Sequence, residues 1–247
     1  TPIQLESATF RFIADPTAAF GAMKAGDVDA FPNFPAAETI AQFESDPRFR
    51  VVVGSTQGET ILAMNNGKPP LDNVKVRAAI AHAINREDVI NGAMSGFGIP
   101  IGSFFPPGDA NYIDLTGQSA YDPEQSKALL AEAGMTDLTL SLKLPPVEGY
   151  ARRGGEIIAQ QLAAVGIKTE TTNLEWGQWL DEVFKQKNYD LTIISHTEPN
   201  DISIFSRPDY YFDYQSEAFN GIISELSVTS DPEKRSELLK AAQQRLA

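Results

Sequence analysis

Three polar side chains follow one apolar stretch of the sequence, and their types could support chemistry. Residues 189–195, YDLTIIS, have the pattern of a buried strand, and His196, Glu198 and Asp201 come directly after it. Imidazole and carboxylate groups bind metals, and two carboxylates can act as a general acid and base. Nothing fixes the geometry of either arrangement, and acidic loop residues in a chain of net charge −13 usually face water. A polar pocket built by His196 and a purely structural histidine remain alternatives.

Strands and helices alternate on both sides of YDLTIIS, which is typical of βαβ units in a layered α/β domain. Strands are predicted at LTLSLKL and IKTETTN, and helices at ARRGGEIIAQQLAAVG and EWGQWLDEVFKQK. Loops at the carboxyl ends of strands are where α/β folds bind ligands. The segment of residues 196–219, polar and aromatic, is therefore the candidate site.

The first third of the chain has a mixed α/β pattern. Strands are predicted at SATFRFI (residues 7–13), DVDAF, RVVVGS (residues 50–55) and TILAMNN (residues 60–66). A turn at TQGE is expected to join the last two as partner strands. Helices are predicted at TAAFGAMKAG, with Thr17 as its cap and Gly26 as its end, and at AAETIAQFESD.

The stretch PPLDNVKVRAAIAHAIN is dense in helix signals. Asp72 is predicted to cap its first turn, with Leu71 and Val76 packing together beside the cap. Asn85 is predicted to cap a second helix, REDVINGAM, and Asp122 a third, PEQSKALLAE. The glycine-rich, proline-rich SGFGIPIGSFFPPGD between them is expected to be a surface loop.

Composition excludes several classes of function. The chain has 247 residues and no cysteine, so it contains no disulfide and no thiolate site. With 20 basic and 33 acidic residues and no basic block, it offers no surface for nucleic acid. No apolar run approaches the roughly 20 residues that cross a bilayer, and the first residues show no signal-peptide pattern.

Other motifs give no positive support for an enzyme. The glycines of GFGIPIG precede no helix and do not fit a dinucleotide fingerprint. His82 lies within a helix pattern and is expected to border its face. The aromatic residues near the candidate site are predicted to be packing residues rather than a ligand platform. They are Trp176, Trp179, Tyr210, Tyr211, Phe212 and Tyr214.

The stretch from MNNGKPPLDNVKVRAAIAHAIN to the PPG loop resembles the signature of the peptide/opine/nickel class, family 5, of extracytoplasmic solute-binding proteins that serve ABC importers. Further blocks agree in order and spacing, so the resemblance covers nearly the whole chain. These are FGAMKAGDVDAF, YDPEQSKALLAEAG, EWGQWL before KNYDLTIIS, and FDYQSEAFNGIISEL with DPEKRSELLKAAQQRL.

The resemblance implies a mixed α/β sheet flanked by helices, a single lobe of the type II periplasmic-binding-protein fold. Family members are about twice as long and have two lobes that close on a ligand. Residues 1–247 are therefore expected to be the second, inserted lobe, without the first lobe and the C-terminal return segment. Such a fragment is expected to fold alone and to bind ligand poorly.

The resemblance also implies ligand-binding residues. In peptide-binding members an acidic residue after the strand matching YDLTIIS holds the ligand's ammonium group, which makes Glu198 and Asp201 candidates here. His196 replaces an aromatic residue of dipeptide-binding members. The loop PPVEGY offers Glu148 and Tyr150 where those members place an arginine, and Arg207 is a candidate for the missing positive charge, with an Asp209 ion pair as the alternative. These departures put a free dipeptide in doubt.

The function that the resemblance implies is capture of a peptide-like or opine-like solute and its delivery to membrane-embedded ABC permease subunits. The expected location is periplasmic, or extracytoplasmic with a lipid anchor in a Gram-positive source. Neither a metal nor a cofactor is expected. The alternative is a receptor or enzyme lobe of the same fold that is not coupled to transport.

Overall fold

The structure is a computed structural model that describes residues 4–197 and 201–247. The chain divides into two compact units, residues 1–53 and residues 54–247. The helices are α1 (Pro16–Ala25), α2 (Ala41–Glu44), α3 (Val74–Ala83), α4 (Arg86–Met94), α5 (Pro123–Glu132), α6 (Gly154–Ala164), α7 (Trp176–Trp179), α8 (Glu217–Val228) and α9 (Pro232–Leu246). The strands are β1 (Glu59–Met64), β2 (Leu138–Leu144), β3 (Ile167–Asn173) and β4 (Leu191–His196).

The larger unit contains a mixed sheet with the strand order β1-β4-β2-β3. Strands β2, β3 and β4 run parallel, and β1 runs antiparallel to β4. The helical connections between the parallel strands follow from the alternating pattern of the sequence, because parallel strands need a crossover. The three carboxyl ends therefore meet at one edge, together with the start of β1.

Both faces of the sheet are covered, as the apolar character of β4 predicts. Leu191 and Ile193 face one core, which also contains buried residues of α3, α5 and α6. Ile194 faces the other core, with Trp179 and Phe219 among its members. The predicted mixed sheet flanked by helices is confirmed.

The residues directly after β1 join it to the rest of the larger unit through backbone carbonyls. The Asn65 side-chain amide donates to the carbonyls of Lys187 and Tyr189, at 3.0 and 3.2 Å. The Asn66 backbone and side-chain amides both donate to the carbonyl of Phe212, at 2.8 and 3.1 Å. The two asparagines thus fix the segment that enters β4 and the aromatic part of the candidate segment, residues 196–219.

A buried charge lies where β4 begins. Lys68 Nζ is 2.8 Å from Asp190 Oδ1, and the Ser141 backbone N–H and hydroxyl both donate to Asp190 Oδ2 at 2.8 Å. Burial alone would raise the pKa of Asp190, but the hydrogen bonds from Lys68 and Ser141 outweigh it and lower the pKa. Since Ser141 belongs to β2 and Lys68 follows β1, this carboxylate connects three strands.

The sequence predicts correctly that polar side chains cap the starts of these helices, but it assigns two of the caps to the wrong residue. Asn85 and Asp122 cap α4 and α5 as predicted. The predicted cap Asp72 is wrong, because Asn73 adopts the extended conformation and its side chain accepts from the Lys75 N–H at 2.9 Å. Asp15 rather than Thr17 caps α1, because Asp15 has the extended backbone conformation of a cap and Pro16 is the first residue of the helix. The end of α1 at Gly26, with φ of 79°, is as predicted.

Other helices are shorter or less regular than the sequence predicts. The stretch AAETIAQFESD forms a 3-10 turn, Ala37–Thr39, followed by the short α2. The helices at ARRGGEIIAQQLAAVG and EWGQWLDEVFKQK each include a π-helical stretch, Glu148–Arg153 and Leu180–Lys185. Their existence and order agree with the prediction.

Three strand predictions for the first part of the chain are wrong. Residues 7–13, 27–31 and 50–55 are irregular, and no described strand lies beside them to supply backbone partners. TILAMNN does form a strand, β1, but it pairs with β4 rather than in the expected hairpin. The smaller unit instead packs Phe20, Phe34 and Phe49 against the ring of Phe43, at centroid distances of 5.3, 5.4 and 4.9 Å.

The loop predicted to run over the surface is partly buried. Phe104 and Phe105 are 4% and 2% exposed. The buried Gln243 of α9 accepts from the Ser103 hydroxyl and donates to the Asn111 carbonyl, at 3.0 and 2.8 Å. The C-terminal helix therefore holds this loop against the aromatic core. Within the described part of the chain, no helix has the length and apolar character needed to cross a bilayer.

The buried charge at Asp190 predicts a pH-dependent contribution to stability. Asp190→Asn should lower the free energy of unfolding by about 2 kcal/mol near neutral pH, because Ser141 and Lys68 lose a charged acceptor. The lowered pKa makes this contribution complete above the ordinary value of 3.8, and it declines as pH falls through the folded-state pKa. Urea unfolding of both proteins across that range should show the gap narrowing. Asp137→Asn, at an exposed position, is the control, and a gap independent of pH would contradict the prediction.

The cap of α3 gives a second test. Asn73→Ala should cost about 1 kcal/mol of stability, because the Lys75 N–H loses its acceptor. Asp72→Ala should change stability by less than about 0.5 kcal/mol. Chemical denaturation of both variants measures the difference, and the reverse order would restore Asp72 as the cap.

Candidate functional site

The carboxyl edge of the parallel strands gathers the segments that carry the predicted site residues. Residues 145–153 leave β2 there, and residues 201–206 follow β4 within a few positions. His196 is the last residue of β4 and lies opposite Glu59, the first residue of β1. The ends of strands from different parts of the chain thus bring their polar groups to one place.

His196 is buried, with 8% of its surface exposed. Its Nδ1 lies 3.6 Å from Asp201 Oδ2, and its Nε2 lies 3.0 Å from the Tyr211 hydroxyl oxygen. Both ring nitrogens therefore face polar partners, and the imidazole joins the end of β4 to the short 3-10 helix that begins at Asp201. His196 therefore contacts Asp201 and Tyr211 within the larger unit, and its role as a ligand-binding residue stays a prediction.

Aromatic rings surround the imidazole. Its ring centroid lies 5.4 Å from that of Phe104, 6.3 Å from that of Tyr211 and 5.7 Å from that of Phe212. The Tyr189 hydroxyl donates to the Tyr211 carbonyl at 2.9 Å, and burial raises the pKa of Tyr189 far above its ordinary range. The rings keep water from one side of His196 and restrict its rotation.

Tyr150 lies at the same edge. It is half-buried, and burial raises the pKa of its phenol, while a hydrogen bond from the Ser195 backbone partly offsets the shift. Ser195 immediately precedes His196, so the loop after β2 and the end of β4 meet at this tyrosine. Sequence reasoning placed Tyr150 in the site, and its position is compatible with a role there.

Arg207 lies further out. It is exposed, and its guanidinium carbon is 5.9 Å from the centroid of the Tyr210 ring, which in turn is 6.4 Å from the His196 ring. The alternative Arg207–Asp209 ion pair is absent from the described structure. Glu198, the remaining candidate, lies outside the described residues.

Sequence reasoning missed two charged residues at this edge. Glu59 is 4% exposed and faces His196 across the β1–β4 pair. Arg152, in the π-helical stretch after β2, has a terminal nitrogen 3.7 Å from a carboxylate oxygen of Glu175, which follows β3. Neither is visible in the sequence, because strand register and loop approach depend on long-range pairing.

The aromatic residues behave mainly as the packing residues that the sequence predicts. Trp179, Tyr211 and Phe212 are buried, and the Trp179 indole donates to the Thr192 hydroxyl at 3.0 Å. Trp176 is different, because it is 44% exposed. His82 borders its helix as expected, with Nδ1 2.7 Å from the Ala120 carbonyl oxygen.

The alternative of a metal centre at His196, Glu198 and Asp201 includes Glu198, which lies outside the described residues. Among residues 4–197 and 201–247, no group of three or more histidine, aspartate and glutamate side chains is arranged to hold a metal ion. The catalytic pair of Glu198 and Asp201 also includes Glu198, so the separation of the two carboxylates is not described. What the described residues offer is the Asp201 carboxylate, 3.6 Å from the buried His196 imidazole, a group that suits hydrogen bonding and charge pairing with a polar ligand.

Comparison with known proteins identifies the class. The sequence model described as "Bacterial extracellular solute-binding proteins, family 5 Middle" matches residues 2–220. The chain belongs to this family of bacterial extracellular solute-binding proteins. Its fold is that of the type II periplasmic binding proteins.

Individual relatives show how far the similarity extends. The dipeptide-binding protein of Escherichia coli K12 is 28% identical over 259 residues, which cover 98% of this chain and 48% of the relative. The periplasmic binding protein DppA of Helicobacter pylori, solved with the peptide STSA, matches with a TM-score of 0.83 and 24% identity over 95% of this chain and 48% of that one. AgaA of A. tumefaciens R10, solved with agropinic acid, matches with a TM-score of 0.81 and 25% identity over 95% and 50%. The chain spans about half the length of these relatives.

The contact between His196 and Tyr211 predicts a measurable cost. Tyr211→Phe should lower the free energy of unfolding by about 1–2 kcal/mol, because the buried Nε2 loses the hydroxyl. Tyr121→Phe removes a hydroxyl from a residue that is 49% exposed, and its effect should stay below about 0.5 kcal/mol. Equal effects of the two substitutions in urea unfolding would show that the hydroxyl contact contributes nothing.

Proposed function

We propose that this chain is part of the solute-binding component of an ABC transporter, located outside the cytoplasmic membrane, which captures a peptide-like or opine-like solute and delivers it to the permease. The observation that carries the proposal is the Asp201 carboxylate, held beside buried His196 at the carboxyl edge of the sheet. Membership of family 5 and relatives solved with a peptide and with agropinic acid support the ligand class.

In this proposal the larger unit, residues 54–247, is one lobe of a two-lobe protein. This lobe is shorter than the one expected from the sequence, which comprised residues 1–247. Ligand binds between this lobe and another, and closure removes water from the ligand's charged groups. Charges that lose water need partners, so Asp201, with Glu198, pairs with a cationic group of the solute. Tyr150 and Arg207 provide a hydrogen bond and a positive charge for its anionic part.

His196 acts in this scheme through Asp201. Its imidazole fixes the carboxylate in one orientation before ligand arrives, which reduces the entropy lost on binding. Because the histidine is enclosed by rings and by Tyr211, it has no need to contact the solute.

The alternative is a receptor or enzyme lobe with the same fold. An enzyme would convert the bound molecule into a product, whereas a binding protein would not. The intact protein should be purified and denatured, and the released small molecules identified by mass spectrometry. Incubating the identified molecule with the intact protein should return it unchanged. Formation of a new chemical species that depends on the protein would contradict the proposal that the protein binds its solute without catalysis.

The role of Asp201 predicts a loss of affinity. In the intact protein, Asp201→Asn should weaken binding of the identified solute by about tenfold or more, because a buried ligand charge loses its partner. Asp209→Asn makes the same change of net charge at an exposed position of the same segment and is the matched control. Isothermal titration calorimetry measures both affinities. An equal effect of both variants would show that Asp201 contributes only through the net charge of the protein and does not pair with the solute.

A further inference from the structure

A groove of about 670 Å³ lies in the larger unit, apart from the candidate site. Residues 84–87, at the start of α4, and parts of residues 99–121 line it, and we name it the Arg86 groove. The other end of α4 faces the candidate site, because Gly149 lies beside Ala93 and Met94 there. Since α4 has nine residues and a helix rises about 1.5 Å per residue, the two places are roughly 13 Å apart.

Apolar side chains form most of the lining of the Arg86 groove. They are Ile84, Ile99, Pro100, Pro107, Tyr112 and Tyr121. Ile99 and Tyr121 are 56% and 49% exposed, so the groove is open to solvent. Its volume and its apolar walls are typical of small-molecule sites, in which a few polar groups fix the orientation of the ligand.

Arg86 supplies the positive charge of the groove. It is half-buried, and its Nη1 and Nη2 donate to the carbonyl and hydroxyl oxygens of Ser119 at 2.8 and 2.7 Å. These bonds fix the guanidinium and use two of its five N–H donors. Burial lowers the pKa of Arg86, and no acidic side chain among the described residues offsets this effect. A partly buried cation without a counter-charge favours an anionic ligand.

The neighbouring polar groups restrict what that anion can be. Asn85 Oδ1 accepts from the backbone N–H groups of Glu87 and Asp88, at 3.0 and 3.3 Å, so these donors of α4 are already used. The side chains of Glu87 and Asp114 also line the groove and are exposed. Their negative charges make a doubly charged phosphate a poorer occupant than a single carboxylate, which also matches the planar guanidinium.

We propose that the Arg86 groove binds a small molecule that carries one carboxylate on an apolar or aromatic body. The carboxylate pairs with the guanidinium of Arg86, and the body packs against Ile99, Pro100 and Tyr121. Binding here is separate from solute capture between two lobes and does not depend on it, because no lining residue belongs to residues 145–153 or 196–219.

Titration of the 247-residue chain with hydrocinnamate and with octanoate tests the proposal. In heteronuclear NMR spectra, the Arg86 Nε–H signal and the Glu87 and Thr116 amide signals should shift with a Kd of about 1 mM or tighter for at least one of the two. Hydrocinnamide, which lacks the charge, and inorganic phosphate, which lacks the apolar body, should bind at least about tenfold more weakly.

Three results of these titrations would overturn the proposal. The first is the absence of a saturable shift with either carboxylate. The second is binding of hydrocinnamide or phosphate as tight as that of the carboxylates. The third is a set of shifts confined to Ser195 and His196, which would place the carboxylate in the candidate site. None of these results bears on the proposed function, because the solute of that site is not used.

Removing the charge of Arg86 gives a direct check of its role. Arg86→Gln should weaken binding of the carboxylate at least about tenfold, because the anion loses its partner. Arg50→Gln makes the same change of net charge at an exposed residue of the smaller unit and should leave the affinity unchanged. Equal effects of the two variants would contradict a specific pairing with Arg86.

Filling the groove provides a test that keeps Arg86 and its contacts with Ser119. A Cβ added at Gly117, which lines the groove, meets no atom within 4 Å, so Gly117→Leu should fold normally and weaken binding at least about tenfold. Gly221→Leu, on α8, also places its Cβ in open space and is the matched control. Unchanged binding by the Gly117→Leu protein would overturn the proposal, even if Arg86→Gln fails to fold.

Discussion

The Asp190 carboxylate holds the architecture of the larger unit, because it lies where three strands must be aligned. It accepts from the Ser141 backbone and hydroxyl on β2, pairs with Lys68 after β1, and immediately precedes β4. Lys68 is half-exposed, so the ion pair itself contributes little, and the hydrogen bonds from Ser141 carry most of the stabilisation. This connection adds side-chain contacts to the backbone pairing of β4 with β2 and so supports the position of His196 at the far end of β4.

The stretch MNNGKPPLDN has its physical explanation in the same region. Asn65 and Asn66 donate to carbonyls of Lys187, Tyr189 and Phe212, and Lys68 reaches Asp190. All these groups lie far along the chain, so one short segment fixes both the entry to β4 and the aromatic part of the candidate segment. A sequence pattern that locally specifies a turn and a helix therefore also has a long-range structural role.

How much could be predicted from sequence depends on the range of the interactions. The strands LTLSLKL and IKTETTN and the helix REDVINGAM were found with their bounds, because period and capping are local. The cap of α3 was misplaced by one residue, since Asp72 and Asn73 are both good caps and only the backbone turn selects between them. Residues 7–13 and 50–55 had the right composition for strands and no described partner, so propensity alone could not make them strands. Glu59 was missed because its position opposite His196 depends on pairing across more than a hundred residues of chain.

The chemistry of the site follows from which polar groups are already satisfied within the lobe. Both nitrogens of His196 face Asp201 and Tyr211, and aromatic rings lie around the imidazole. In the proposed function, the Asp201 carboxylate is therefore the group that pairs with a cationic part of the solute as water leaves the cleft. A buried histidine that orients an acidic residue costs little entropy at the moment of binding, because the orientation exists beforehand. In the proposed function, recognition therefore depends on a pre-oriented charge at Asp201 rather than on stacking against a side chain at position 196.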